Sequence, residues 1–588
     1  MHNRPPMEKA KDFKGSIKRL IKYLTPYYKY FMLSIILGFV SSIFTIISPN
    51  RLRDLINIIT EGLVTSIDMV KIRNLSIFIG LLYVISAIFS YIQSYIMIKV
   101  TNKLSYKLRN EISFKINKLP LKYFDNNQVG DVLSRVTNDV DTISQTLNNS
   151  VSTLVSSITL FIGVLIMMFI TNVYMALTTI ISSLIGFFIM GIILKKSQKY
   201  FSLLQIELGN MNGHIEEVYS SLDVVKAYNG KEIENEKFDE INNNLYRCAK
   251  YSQFLSGMMG PMMGFIGNLG YVSVCIVGSL LVMNNMTSMG VIVAFIIYTR
   301  LFTSPLSNIA QGLNQLQSTA AATERVFNFL SEKEMKNEDN LTKKINNIKG
   351  NIEFEHVKFG YDEKIIINDF SANIKNGQKI AIVGPTGAGK TTLVNLLMKF
   401  YDIKEGDIKI DGISIKELSR EEVHNLFIMV LQDTWIYNGT IKENIIYNNE
   451  NITDEELYNA CKVVGLDHFI NTLEHGYDTV LTESSSISSG QKQLITIARA
   501  ILKKSPFLIL DEATSNVDTR TEELVAMAMD KLTKGRTSFI IAHRLSTIKN
   551  ADLILVMKDG NIIEQGNHEE LMNQNGFYKE LYNSQFMN

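Results

Sequence analysis

The chain reads as two folds in tandem: an α-helical membrane domain of about six long helices, then an α/β domain built on a phosphate loop. Three observations predict this. Apolar residues are 46% of the 588, an ordinary share, yet they crowd into the first half, in runs of about 20 residues. The second half alternates short β-branched runs with helical stretches, the mark of a largely parallel sheet covered by helices. Between one such strand and one such helix lies Gly384-Pro385-Thr386-Gly387-Ala388-Gly389-Lys390-Thr391, which meets the pattern G-x-x-x-x-G-K-[ST] at every fixed position. The length exceeds a single core. Expected boundaries are 1–28 for an amphipathic N-terminal helix, 29–325 for the membrane domain, 326–349 for a linker and 350–588 for the nucleotide-binding domain.

The N-terminal element is Lys/Arg-rich from Lys9 to Lys22, with Phe13, Ile17, Leu20, Ile21 and Leu24 at helical spacing. That pattern suits the surface of an anionic bilayer. No cleavable leader is expected, because Met1 to Lys22 lacks an apolar core. Tyr30–Ser48 is uncharged and, at about 1.5 Å per residue, long enough to cross about 30 Å of hydrocarbon. Comparable runs follow at Leu75–Val100, Val151–Phe169, Val173–Leu194, Phe254–Met283 and Met289–Ile309. Any one of them fits a buried core helix; a soluble core does not absorb the set. No acidic residue lies within these runs, so neither a proton relay nor a fixed site for a cation is indicated.

Short uncharged links at Thr171-Asn172 and Asn284–Ser288 alternate with long basic segments, Thr101–Ser150 and Lys195–Gln253. The positive-inside rule puts the long segments and both termini in the cytoplasm. Arg51, Arg53, Lys71 and Arg73 in the link Pro49–Asn74 dilute that signal; the location of cellular ATP decides it. Lys103–Leu119 and Gln198–Gly230 keep helical periodicity, so the membrane helices are expected to continue well past the bilayer. Tyr123–Gly130 and Ser220–Val225 break the pattern and are candidate contacts with another domain.

In the second half, Ile380–Val383 is a buried strand running into the phosphate loop. The glycines let successive N–H groups turn toward phosphate oxygens. Lys390 adds a charge for the β- and γ-phosphates, and Thr391 a hydroxyl for Mg²⁺. The helix expected over Thr391–Lys399, with Thr392 in its first turn, points its positive end at the same phosphates. ATP and Mg²⁺ are therefore the expected cofactors. Phe507–Asp511 is a second apolar strand, and it runs into two carboxylates: Asp511 suits Mg²⁺, and Glu512 suits the attacking water. Gln432 follows Ile428–Leu431, and His543 follows Ser538–Ala542; each stands at a strand end where it reaches a metal, a water or a γ-phosphate. Tyr361, ahead of the loop, suits stacking on adenine, worth about 1–3 kcal/mol. Singly, the Gln, His and Tyr are more often structural.

Ile487-Ser488-Ser489-Gly490-Gln491, with a helix expected over Lys492–Leu502, joins them. The five residues resemble the L-S-G-G-Q signature of the ATP-binding cassette family. The resemblance implies that Gln432 is the glutamine loop, Ser515–Asp518 the loop after the carboxylates, His543 the switch histidine and Tyr361 the adenine-stacking aromatic. It implies that Ser488, Gly490 and Gln491 complete a partner's phosphate site. Membrane helices fused ahead of one cassette resemble the exporters of this family, in particular multidrug and lipid exporters, where Pro120–Asp139 and Glu216–Tyr228 match the segments that couple cassette to membrane. No fused peptidase is expected ahead of the first span.

Two departures bear on the partner. The signature starts with Ile487 and carries Ser489 where Gly is usual, and the lead-in Glu483–Ser486 is one residue short. Together with Ser515-Asn516-Val517-Asp518, this resembles one subunit of a heterodimeric exporter; a homodimer is the alternative. The resemblance implies ATP-driven export of amphipathic small molecules across a plasma or inner membrane by alternating access, as in multidrug efflux, with lipid or peptide export as the alternative and import by an exporter-like fold behind it. Met258, Met259, Met262 and Met263, with Asn268 and Tyr271, suit an adaptable cavity wall, although packing is the commoner role. A net charge of +1 argues against a nucleic-acid partner. Chromosome-type ATPases share the motifs but carry coiled coils in place of spans. Cys248, Cys275 and Cys461 have no metal or disulfide spacing.

Overall fold

The computed structural model describes residues 10–63, 66–361, 364–431, 434–449, 451–482, 487–511, 519–542 and 545–586. The chain divides into two compact units, Met1–Lys118 with Asn127–Lys333, and Leu119–Asn126 with Glu334–Asn588. Among the described residues six helices are long and apolar enough to cross a membrane.

In the first unit α1 (Phe13–Tyr23) starts at an N-cap, Asp12, whose carboxylate accepts from Gly15 N–H. It is shorter than the basic stretch from Lys9 suggests. Its inner face buries Leu20, and Tyr23 meets Phe327 edge-on at 5.4 Å. α2 (Tyr28–Gly62) runs straight through Pro49, where the sequence reading expected a link. Proline removes one backbone donor, the one that would meet the carbonyl of Thr45, a loss that membrane helices tolerate. The charges beyond it are partly neutralised in place, with Arg53 on Asp54 at 2.7 Å.

α3 (Met69–Lys118) has 50 residues and α8 (Val173–Ser220) has 48, so both continue past the bilayer as the periodicity predicts. Between them the chain forms α4 (Leu121–Asn126), α5 (Val129–Ser134), α6 (Val140–Gln145) and α7 (Ser152–Thr171). Wide helical turns of π type at Arg135–Asp139 and Thr146–Val151 interrupt that run. After α8 the tip folds into α9 (Leu222–Ala227), and α10 (Lys231–Gly257), α11 (Met259–Met283) and α12 (Met289–Ser331) complete the unit. The lower part of α12 is tied down. Arg325 makes a bidentate pair with Asp139 at 2.9 and 2.5 Å, and Lys115 donates to the carbonyl of Glu332 at 2.5 Å, a cation at a helix C-terminus.

Among the described residues the second unit is built on a ten-stranded sheet ordered β5-β4-β1-β2-β12-β11-β3-β10-β9-β6. The strands are β1 (Ile352–Phe359), β2 (Ile367–Ile374), β3 (Lys379–Val383), β4 (Glu405–Ile410), β5 (Ile413–Ser414), β6 (Phe427–Val430), β9 (Phe507–Asp511), β10 (Thr537–Ile541), β11 (Leu553–Lys558) and β12 (Asn561–Gly566); β7 (Gly439–Thr440) and β8 (Val480–Leu481) form a separate pair. One edge is antiparallel and the centre, β11-β3-β10-β9-β6, is parallel. Burial on both faces explains why β9 and β10 read as continuous apolar runs. The helices are α13 (Lys390–Leu397), α14 (Arg420–Leu426), α15 (Ile441–Ile446), α16 (Asp454–Val464), α17 (Asp467–Thr472), α18 (Ser489–Leu502), α19 (Thr519–Thr533), α20 (Leu545–Lys549), α21 (His568–Asn573) and α22 (Phe577–Phe586). The core falls into two main clusters. One fills β1–β4 and α13, including Phe354, Phe370 and Leu393. The other, with Leu457, Leu494 and Val525, joins α16, α18 and α19.

Candidate functional site

The phosphate loop leaves the C-terminal end of β3, where ligands of open α/β sheets bind. Its glycines are forced by geometry. A Cβ on Gly384 would lie 2.2 Å from the carbonyl oxygen of Met557, while Gly387 and Gly389 hold φ of +83° and +99°, values that favour glycine. Gly389 is also the N-cap of α13, which begins at Lys390, one residue earlier than expected. Pro385 O accepts from Ala388 N–H at 3.2 Å. Thr386 and Gly387 form the exposed crest of the loop, and Ala388 is buried beneath it.

Lys390 folds back over its own loop and donates to the carbonyls of Gly384 at 2.6 Å and Pro385 at 3.1 Å. Burial pulls its ammonium below the usual lysine range, and the Asp511 carboxylate partly offsets that. Asp511 reaches this place through strand register: it pairs with Ile541 of β10, which pairs with Ile382 of β3. The carboxylate thus stands level with the start of the loop, two strands away. Thr391 is exposed at the opening of α13. A hydroxyl and a carboxylate are hard oxygen donors of the kind Mg²⁺ accepts beside phosphates and water, so this donor set fits the ion. Glu512, His543 and Gln432, and the loop Ser515–Asp518, lie outside the described residues.

Tyr361 is half-buried and held on several sides. Its hydroxyl lies 3.3 Å from Thr392 Oγ1 and accepts from Asn395 Nδ2 at 3.4 Å. Thr392 is therefore buried against the tyrosine, while Thr391 stands open. The ring meets Tyr401 edge-on at 5.0 Å and Phe359 at 5.2 Å. Lys122 Nζ donates to the carbonyl of Tyr361 at 3.2 Å, and the Tyr401 hydroxyl donates to Asp125. Burial, then Asp125 as acceptor, pushes the Tyr401 phenol above its ordinary range. Sequence reading missed Tyr401 altogether. It placed Lys122 and Asp125 in a coupling segment without a link to Tyr361 or Tyr401; the pairs are more than two hundred residues apart, and no local pattern signals them.

The signature segment is the first turn of α18 itself. Ser488 is the N-cap: its Oγ accepts from Gln491 N–H at 3.2 Å, and Gln491 Oε1 accepts from Ser488 N–H at 2.9 Å. This is a capping box, and it corrects the expected helix start at Lys492 by three residues, since S-x-x-Q is itself a helix-start pattern. Ser488 is exposed and Gly490 buried. Farther along α18, Arg499 donates to Asn444 O at 2.8 Å and lies over the Tyr447 ring. That contact ties the signature helix to α15, in the stretch following Gln432.

Two family models match, one for the ABC transporter transmembrane region over residues 31–306 and one for the ABC transporter over residues 367–515. A protein of Mycobacterium bovis named fatty acid ABC transporter ATP-binding/permease protein is 40% identical, covering 98% of this chain and 97% of its own length. An uncharacterized ABC transporter ATP-binding protein of Bacillus subtilis is 39% identical over 98% of this chain and 95% of its own. A Streptococcus pneumoniae protein, a putative ABC transporter ATP-binding protein, is 32% identical over 97% of each chain. With six spans ahead of one ATP-binding domain, the chain belongs to the ABC transporter family: it is a multi-pass half-transporter of exporter type, whose ATPase drives transport.

Proposed function

We propose that this chain, paired with a second half-transporter, hydrolyses Mg·ATP to export an amphipathic molecule with a long apolar part. The observation supporting that substrate class is the likeness, along almost the whole chain, to proteins named for fatty acid transport. A second reading, multidrug efflux, is favoured by Met258, Met259, Met262 and Met263, half-buried around the start of α11, since methionine adapts to varied ligands.

In this reading the loop from Gly384 to Thr391 wraps the phosphates, and Lys390 trades its loop carbonyls for phosphate oxygens. Tyr361 stacks on adenine. Thr391, Asp511 and Gln432 hold Mg²⁺, whose charge offsets that on the transferred phosphoryl group. Glu512 orients and deprotonates the attacking water, and His543 contacts the γ-phosphate. The second subunit's signature closes each site; here Ser488, Gly490 and Gln491 serve the partner's nucleotide. Half-transporters of this family work as dimers, and Ile487 and Ser489 favour a heterodimer in which this chain gives the weaker signature.

The test is the ATPase rate of this chain alone in lipid nanodiscs, beside Glu512→Gln. Little activity alone, restored by a second exporter subunit and abolished again by Glu512→Gln, is expected. Robust activity of the lone chain overturns the heterodimer, and activity that survives Glu512→Gln overturns the water-activating role. Inside-out vesicles then separate direction: ATP-dependent uptake of labelled oleate supports export of a lipid-like molecule, and uptake of a cationic dye without oleate supports multidrug efflux.

A further inference from the structure

Among the apolar runs of the six spans, one charge stands well inside: Arg300 of α12, in the run Met289–Ile309. Its depth follows from packing. The neighbouring Thr299 rests on Gly270 of α11, where a Cβ would lie 2.6 Å from Thr299 Cγ2, with Ser182 of α8 beside the same glycine. Ser182 is ten residues into α8 from its outer end, and Gly270 thirteen residues short of the outer end of α11. At about 1.5 Å per residue, Arg300 lies about 15–20 Å below the outer hairpins, near the middle of about 30 Å of hydrocarbon.

A guanidinium at that depth costs about 2.5–3.5 kcal/mol even by insertion scales, and such residues face a watery path or a partner, not lipid. The surface of α12 agrees. Phe295, Tyr298, Thr299, Phe302 and Thr303 are buried against the rest of the unit. Arg300 is exposed on the other side, in line with Ser304 one turn farther in, which is exposed too. A polar face along a membrane-spanning helix is a poor lipid contact. No carboxylate pairs with Arg300 among the described residues, and the apolar runs contain no acid to supply one.

We infer that Arg300 is the head-group site of the transport path, taking the anionic end of an amphipathic substrate, a carboxylate in a fatty acid. The planar fork of the guanidinium matches a carboxylate bidentately, and the apolar residues that flank it on α12 suit the acyl chain. This rests on the amphipathic-substrate reading and sharpens it: the cargo is an anion.

The test uses the full chain assembled with a second exporter subunit in lipid nanodiscs and scintillation-proximity binding of labelled oleate, oleyl alcohol and oleoyl lysophosphatidate, three ligands with one chain and different heads. Wild type is expected to prefer oleate over oleyl alcohol by about tenfold, the scale of one good charge-assisted contact. Arg300→Gln brings that preference close to one, and Arg300→Lys restores part of it. An oleate preference that persists in Arg300→Gln overturns the inference while the amphipathic reading stands. Loss of preference only for lysophosphatidate overturns the carboxylate assignment in favour of a phosphate head. Failure of all three ligands to bind wild type sinks the amphipathic reading, and the inference with it.

Discussion

At the scale of single residues, Ser488 does two jobs that can be pulled apart. As N-cap it stabilises α18 by about 1 kcal/mol; as the proposed phosphate contact it must present an uncharged hydroxyl. Ser488→Asp keeps a good cap, because aspartate accepts from the same Gln491 N–H, but sets a negative charge against the partner's nucleotide. Thermal stability of the cassette is expected to hold within about 1 kcal/mol of wild type, while ATPase activity of the assembled transporter falls at least tenfold. Equal loss of both would mean that the serine only caps. Ser488 was singled out in the sequence by its resemblance to a signature motif, while its capping partner three residues on went unread and the helix start was placed at Lys492. Lys390 was legible because the loop it folds over is one short local pattern. Asp511 was legible as an acid at the end of a strand, but its position level with the loop is a fact of sheet order that no window of sequence contains.

At the scale of elements, α4 belongs with the nucleotide-binding unit even though it interrupts the membrane helices in sequence. Through Lys122 and Asp125 it holds the backbone of Tyr361 and the phenol of Tyr401. Tyr401→Phe and Asp125→Asn should each weaken ATP about threefold or more, while binding of inorganic tripolyphosphate, which has no base to stack, stays as it was. In a Tyr361→Ala background neither should act further, since residues that work through one another are not additive. Equal losses for ATP and tripolyphosphate would show instead that the loop itself had been disturbed. Pattern reading found α4 as a break in periodicity and recovered most long helices, because amphipathic spacing and charge-free runs are local. It failed at Pro49, where a residue that ends helices in water is tolerated inside a membrane helix.

For the whole molecule, the alternation of short uncharged hairpins and long helical extensions fixes which end of the membrane unit faces the cytoplasm. Tyr228, at the tip beyond α9, is 83% exposed, so Tyr228→Cys places a thiol there with little cost to packing. A membrane-impermeant maleimide should label it in inside-out vesicles and leave it untouched on intact cells. Labelling on intact cells would invert the topology. Composition averaged over 588 residues conceals all of this, because a net charge of +1 and an ordinary apolar fraction are the sum of two unlike halves.

α3 and α8 contain no proline, and that has a mechanical consequence. At about 1.5 Å per residue each is a strut of about 70–75 Å, more than twice the thickness of the hydrocarbon it crosses. A strut of that length is a lever. Displacing one end by a single helical pitch, about 5.4 Å, rotates it by only about 4–5°. Small angular play inside the bilayer is thereby geared up to ångström-scale travel at the cytoplasmic tips, and travel at the tips is geared down to a gentle tilt among the spans. A large excursion at the tips can then leave the spans with nearly the same neighbours.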